Sequence, residues 1–303
     1  NLLIPKSCQN ETQKSIWNGQ EDKFVHPFVG SRYFVIAQLI VILVLTKTPE
    51  LWTNRIYKQI FHLGLYNLFD IWLRMYYVSA WGIWYGPVSR RYLFAGLNGT
   101  SIGITILTFG LALNRWEVLA WPKLFFKFNT KGYLDMLIIV LSYLIGIGLF
   151  ILQILPGYGR FMVYVNVPSG PFLEAFQEYQ GGKIIDYQFY AEQSLMIASV
   201  LLYAYCIIVI VYERLLAKIK QPRKELLLFV QTFFPCIMRI LANEITSYYY
   251  ASGNLYLIGI TFCWILESCH YPFLYFLFNR SIRKAIGYMF FKNNASSIGI
   301  GVF

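Results

Sequence analysis

Seven apolar runs divide the chain, and each is close to the length that crosses a membrane. A helix needs about 20 mostly apolar residues to span a bilayer, and the runs lack the alternation over about 10 residues that marks barrel strands. Helices also satisfy their own backbone hydrogen bonds within lipid. The pattern predicts an all-α membrane protein, a seven-transmembrane helix bundle with spans near 28–46, 59–80, 93–114, 133–155, 189–212, 226–250 and 255–278.

The apolar runs divide the chain into three predicted parts. Residues 1–27 would be an extracellular N-terminal segment, 28–278 the seven-span domain and 279–303 a short cytoplasmic tail. In the tail, helical spacing places Ile282, Ile286 and Phe290 on one face, while Arg283 and Lys284 can meet anionic headgroups. This spacing favours an amphipathic helix on the inner membrane surface, although an ordinary basic tail would have a similar composition.

Basic residues between the runs indicate the orientation. With the N-terminus outside, the inner loops and tail hold sixteen Lys and Arg residues and the outer segments hold seven. Cytoplasmic loops carry such an excess, so we expect a multi-pass plasma-membrane protein with an extracellular N-terminus. The triplet NET makes Asn10 a predicted glycosylation site. The triplets at Asn98 and Asn294 fall in an apolar run and on the inner tail, where glycosylation is not expected.

The composition favours lipid as the main solvent and argues against an enzyme. Charged residues make up 14% of the chain, against about 25% in soluble proteins. The formal charge is +11, but the basic residues form no single stripe, so no nucleic-acid partner is expected. The three histidines and five cysteines fit no metal-binding spacing, and no phosphate-binding or nucleophile motif occurs. We therefore expect no catalytic residue, metal or cofactor.

Charged residues within the apolar runs are candidates for function, because charges in lipid are costly. Asp70 and Arg74 are four residues apart and share a helix face. They form either a mutual ion pair or, with Arg239 and Glu267, a buried polar network in which the latter two pair across helices. A ligand pocket near the outer ends would be lined by Glu192, Glu244, Tyr248, Tyr256 and Trp264. Bundle packing is the alternative role for its aromatic residues.

Arg115 ends the third run in the stretch LALNRWEVLAWP, Leu111 to Pro122. An arginine at this place either terminates a membrane helix at the interface or belongs to a switch. The stretch resembles the end of the third helix in rhodopsin-like receptors, where an acidic residue and Arg precede an aromatic. Here Asn114 replaces the acid and Trp116 takes the aromatic position.

Two further stretches resemble the same receptors. YKQIFHLGLYNLFDI, Tyr57 to Ile71, resembles their second helix and places Asp70 at the buried acidic position. YPFLYFLFNRSIRKAI, Tyr271 to Ile286, resembles the end of their seventh helix through Pro272 and Tyr275, with Tyr271 where Asn is usual. Together the three stretches look most like nematode serpentine chemoreceptors of the Srg superfamily, in particular the Srt type, with Srx or Srv as alternatives.

The resemblance implies a chemosensory G-protein-coupled receptor. It would bind an extracellular small molecule or peptide and activate a heterotrimeric G protein through a switch of five residues: Asn114, Arg115, Trp116, Pro272 and Tyr275. The alternative is a seven-span transporter or ligand-gated channel that uses the intramembrane charges.

Several family features are missing, among them the outer disulfide and the customary Asn of the first helix. The arginine beside Asp70 makes a sodium site there doubtful. Because Asn114 cannot restrain Arg115 by a charge pair, a carboxylate elsewhere would have to do so. The candidates are Glu117, Glu213 and Glu225.

Overall fold

The computed structural model describes most of the helical part of the chain. The described residues are 21–82, 87–119, 132–155, 161–165, 173–177, 182–217, 233–234, 236–241 and 271–297.

Helices account for nearly all of the described residues, as the apolar runs predict. Helix α4 begins at Pro87, where a missing N–H costs nothing because the first helical residues have no intrahelical acceptor. Residues 233–234, 236–241 and 271–278 are also helical and fall in the sixth and seventh predicted runs. The named helices are α1 (Glu21–Lys47), α2 (Pro49–Trp52), α3 (Arg55–Gly82), α4 (Pro87–Leu119), α5 (Tyr133–Ile154), α6 (Gly182–Ala217) and α7 (Arg280–Ser297).

Three of these helices are long and apolar enough to cross a membrane. They contain the spans Arg91–Val118 in α4, Tyr133–Ile154 in α5 and Asp186–Tyr212 in α6. A shorter apolar stretch, Tyr33–Lys47, lies in α1. Helix α1 already begins at Glu21, inside the segment predicted to be extracellular.

A small hairpin occupies part of the long connection between α5 and α6. Strand β1 (Phe161–Val165) pairs antiparallel with β2 (Leu173–Gln177), and Phe161 stands opposite Gln177. The apolar pattern did not predict these strands, because each is only five residues long and lies within a loop rich in Gly and Pro.

Helix α4 is the central element, since it packs against α3, α5 and α6. It approaches α5 closely at two facing glycines. A Cβ added at Gly99 would lie 2.7 Å from the carbonyl oxygen of Gly146, and one added at Gly146 would lie 2.8 Å from that of Gly99. The two backbones therefore touch with no room for a side chain.

The described bundle exposes large apolar side chains and also buries polar ones. On α5, Leu144 is 64% exposed and Ile151 is 52% exposed, within a stripe of apolar side chains along one face. Gln38, Gln59 and Asp70 are 1% exposed or less. A surface rich in apolar residues around a core that also contains polar groups suits a bundle surrounded by lipid, where polar groups must find partners inside.

Asn279 separates helical residues 271–278 from α7. Its Oδ1 accepts the backbone N–H groups of Ser281 and Ile282 at 3.1 Å each, so it caps α7. Ile282 is fully buried in the main apolar core, whereas Arg283 and Lys284 are exposed. The described part of α7 therefore has the two unlike faces that the sequence predicts.

Candidate functional site

A buried ion pair lies between α6 and the helical residues 236–241. Arg239 Nη2 lies 3.5 Å from Glu192 Oε2, and the two side chains are 4% and 6% exposed. Ser101 on α4 joins them, because its hydroxyl donates to Glu192 Oε2 over 2.8 Å and its carbonyl accepts from Arg239 at 2.7 Å. Removing one member of such a pair is costly because the other charge would remain buried.

Three side-chain amides extend this pair toward the far end of α5. Gln188 Nε2 donates to Glu192 Oε1 over 2.8 Å, and Gln153 Nε2 donates to Gln188 Oε1 over 3.1 Å. Asn98 Nδ2 in turn donates to Gln153 Oε1 over 2.9 Å. We call the six side chains the Glu192 network: Asn98, Ser101, Gln153, Gln188, Glu192 and Arg239.

The Glu192 network relates to two predictions made from the sequence. Glu192 was placed in the ligand pocket and Arg239 in a separate polar network with Glu267. The structure brings Glu192 and Arg239 together, whereas Glu267 lies outside the described residues. The predicted pocket residues Glu244, Tyr248, Tyr256 and Trp264 and the predicted glycosylation site Asn10 also lie outside them.

Asp70 and Arg74 form an ion pair on α3. Arg74 Nε lies 2.6 Å from Asp70 Oδ2, and the Asp70 side chain is 1% exposed. The other carboxylate oxygen accepts the Thr100 hydroxyl of α4 over 3.0 Å. The predicted mutual ion pair is therefore present, and through Thr100 it also connects α3 with α4.

A third group of polar residues lies near the C-terminal end of α4, where α5 begins. Asp135 is 6% exposed, and its Oδ1 accepts Gln59 Nε2 and Asn114 Nδ2, each over 3.0 Å. Arg55 Nη1 lies 3.9 Å from Asp135 Oδ2. We call these four residues the Asp135 cluster: Arg55, Gln59, Asn114 and Asp135.

Local structure places the Asp135 carboxylate where a charge is stabilised. Gly132 caps the start of α5 with a φ of +75°, a conformation that side chains rarely adopt. Asp135 follows in the first helical turn, where the helix dipole favours negative charge. A Cβ on Gly132 would also lie 2.9 Å from Arg55 Nε, so glycine leaves room for the arginine.

Arg115 faces a different part of the bundle from its neighbour Asn114. Its guanidinium lies within electrostatic reach of the Cys206 thiol on α6 and of the Tyr275 hydroxyl. Tyr275 is 2% exposed, and Trp116 packs beside the small apolar core around Cys206. Consecutive helix positions differ by about 100° in direction, which explains why Asn114 and Arg115 serve different contacts.

Residues 271–278 also contact α4 halfway along its length. The hydroxyls of Thr108 and Tyr271 lie 3.3 Å apart, and Pro272 next to Tyr271 is buried. Three of the five predicted switch residues, Asn114, Arg115 and Trp116, lie on α4 itself. A fourth, Tyr275, is within reach of the Arg115 charge.

Sequence reasoning missed Asp135 and the amides Gln59, Gln153 and Gln188. Asp135 is the third residue of the predicted run 133–155, where the sequence alone indicates an acid at the membrane–water interface. The amides carry no charge, and only their partners on other helices make them conspicuous.

Of the three acids proposed to restrain Arg115, Glu117 is half-buried, and the side chains of Glu213 and Glu225 lie outside the described residues.

Comparison with protein families and with curated proteins identifies no relative of this chain. No protein-family model matches the chain, and no curated protein is significantly similar to it. Its function therefore has to be argued from its own residues and their geometry.

Proposed function

We propose that the chain is a chemosensory G-protein-coupled receptor of the plasma membrane. The position of Arg115 carries the proposal: it lies at the end of the central helix, where its charge acts on Cys206 of α6 and on Tyr275, within a stretch that resembles the receptor switch. An arginine that merely ended a membrane helix at the interface would have no need of these interior neighbours.

Seven membrane crossings with an extracellular N-terminus belong to this proposal. Helices α4, α5 and α6 would be three of the crossings. Helices α1 and α3 and the helical residues of the sixth and seventh runs would provide the other four. The excess of basic residues in the loops on one side supports this orientation.

The Glu192 network would form the floor of the ligand site. It involves the start of α6, the last turn of α5 and the first half of α4, all at the end that the charge pattern places outside. A small molecule or peptide entering from that side would meet a buried and already partnered carboxylate. Its polar groups would compete for hydrogen bonds of Glu192, Ser101 and Arg239.

Helix α4 would transmit ligand binding to the other side of the membrane. Ser101 and Arg115 lie on the same helix, about 21 Å apart at 1.5 Å per residue. A ligand shifts the resting and active populations only through its difference in affinity for the two states. A shift from 1:99 to 99:1 requires a preference of about 10⁴-fold.

The proposal predicts that Arg115→Ala abolishes ligand-evoked G-protein activation. The full chain is reconstituted in nanodiscs with a panel of heterotrimeric G proteins, and nucleotide exchange is measured against a library of small molecules and peptides. A compound that stimulates the wild type should fail on Arg115→Ala at equal protein amount, because the contact with the G protein or with the switch is lost. Lys47→Ala, at an exposed basic residue on α1, is the control and should respond like the wild type.

Two results would contradict the proposal. Unchanged stimulation of Arg115→Ala would remove Arg115 from the mechanism. A ligand-evoked current across a planar bilayer without any G protein would favour the alternative, a channel or transporter that conducts past the Glu192 network.

A further inference from the structure

The carboxylate that is hydrogen-bonded to Asn114 of the receptor-like stretch is on a different helix. In the receptors that this stretch resembles, an acid precedes the arginine on the same helix, whereas this chain has Asn114 there. The Asn114 amide donates to Asp135 Oδ1 of α5 over 3.0 Å. The acid is thus supplied from the neighbouring helix, and the asparagine is its hydrogen-bond donor.

The Asp135 carboxylate of α5 is held by three side chains from two other helices, α3 and α4, and is shielded from solvent. Gln59 of α3 donates to the same oxygen as Asn114, and Arg55 faces the other oxygen. Gln59 and Asn114 are buried, with exposures of 0% and 6%. A buried carboxylate keeps its charge only when donors and opposite charge compensate for lost hydration, and these three side chains provide both.

Asn114 and Asp135 are chemically complementary, and their identities depend on each other. An acid at position 114 would place a second carboxylate within about 3 Å of Asp135, where like charges disfavour each other. An amide at both positions would leave Arg55 without the buried charge that it faces. With one acid and one amide, the two side chains form a hydrogen bond and Arg55 faces a buried negative charge.

We propose that Asp135 is a positioning residue that holds the resting packing of α3, α4 and α5 beside Arg115, acting through Asn114. This inference rests on the proposed receptor function and adds the regulation of its switch. The restraint joins three helices and does not act within α4 alone. Activation then requires the end of α4 to move relative to α3 or α5, which breaks the hydrogen bonds to Asp135.

Exchanging the two side chains tests the proposal. Asn114→Asp and Asp135→Asn should each raise ligand-independent nucleotide exchange by about tenfold, because the first replaces the hydrogen bond with repulsion between two carboxylates and the second removes the charge that strengthens it. The double variant Asn114→Asp with Asp135→Asn restores one acid and one amide, with the direction of the hydrogen bond reversed. Its basal exchange should return to within about twofold of the wild type, since complementary pairs recover their coupling.

A control and a second measurement separate this proposal from a general loss of stability. Glu50→Gln removes an exposed acid of α2 without touching Asp135, and it should leave basal exchange unchanged. Hydrogen–deuterium exchange in nanodiscs, without G protein, follows the start of α3, the end of α4 and the start of α5. Both single variants should speed exchange at these three places, and the double variant should restore protection.

The possible outcomes lead to distinct conclusions. If no G protein responds to the wild type under any condition, the receptor function fails, while hydrogen–deuterium exchange still tests the restraint. If the single variants lose protection but basal nucleotide exchange stays at the wild-type level, Asp135 is only structural and the proposal is overturned. A double variant as active as the single variants would also overturn it.

Discussion

Two buried amides have no hydrogen-bond partner among the described residues. Both amide atoms of Gln38 on α1 and of Asn67 on α3 are unpaired, and the residues are 0% and 1% exposed. Gly64 lies beside them, and a Cβ there would be 2.6 Å from Gln38 Nε2. Glycine thus makes the space that the Gln38 side chain occupies, and no described residue compensates the amide for the cost of its burial.

Replacing Gln38 should therefore stabilise the protein. Gln38→Met keeps the length and flexibility of the side chain and removes the unpaired amide, so the free energy of unfolding should rise by about 1–3 kcal/mol. Thermal unfolding of the purified chain in detergent measures the change. The same substitution at Gln59 is the matched control. It removes a hydrogen bond to Asp135, so Gln59→Met should lower the stability.

A fall in stability for Gln38→Met would contradict this account of the unpaired amide. Such a result would mean that ordered water completes the hydrogen bonds of Gln38, as commonly happens at buried polar sites.

At the scale of helices, the contact between α4 and α5 depends on two glycines. Gly146→Ala would place a methyl group 2.8 Å from the carbonyl oxygen of Gly99, and a backbone atom cannot move aside as a flexible side chain can. We expect the two helices to be forced apart and the stability to fall by about 1–3 kcal/mol. Thermal unfolding in nanodiscs provides the measurement.

Gly148→Ala is the control for this prediction. It lies one half-turn further along the same helix, and a Cβ there meets nothing within 4 Å. Alanine favours helix over glycine by about 0.5–1 kcal/mol, so this variant should be as stable as the wild type or more so. Equal losses from both substitutions would show that close packing of α4 on α5 is not what Gly146 provides.

The positions of five helices could be predicted from the apolar runs, but among them only α5 has both ends within one residue of its run. Helix α6 runs from Gly182 to Ala217, beyond both ends of the predicted run 189–212. Hydropathy changes at the edge of the hydrocarbon, whereas backbone hydrogen bonds continue into the polar residues that follow. The hairpin escaped prediction because its register arises from the pairing of two short segments.

The candidate site could be predicted only where charge identified it. Glu192, Arg239, Asp70 and Arg74 were conspicuous as charges within apolar runs, and the spacing of Asp70 and Arg74 indicated their pairing. The pairing of Glu192 with Arg239 could not be read from the sequence, because it depends on which faces of two separate helices meet.

At the scale of the whole molecule, the orientation in the membrane remains a prediction, and the chain carries its own reporters for it. Asn10 and Asn294 are sequons in segments predicted to lie on opposite sides. Glycans are added only on the lumenal side, so expression in a eukaryotic cell should modify Asn10 alone. Asn10→Gln should then abolish the glycosidase-sensitive shift on a gel, and Asn294→Gln should leave it intact.

The reverse pattern would place the N-terminus in the cytoplasm and exclude the proposed receptor orientation. The third sequon does not disturb this test. Asn98 lies within α4, and its side-chain nitrogen donates to Gln153, which leaves it inside the bundle.

The pairing of Glu192 with Arg239 also bears on how the protein is made. The ribosome releases α6 before the segment that contains Arg239, so Glu192 enters the bilayer before its positive partner exists. An unpaired charge within an inserting helix is costly. The run from Val200 to Tyr212 is almost wholly apolar and can offset that cost. Ser101 and Gln188 precede Glu192 in the chain, and both donate hydrogen bonds to it. These two hydrogen bonds can therefore stabilise the carboxylate before Arg239 is synthesised.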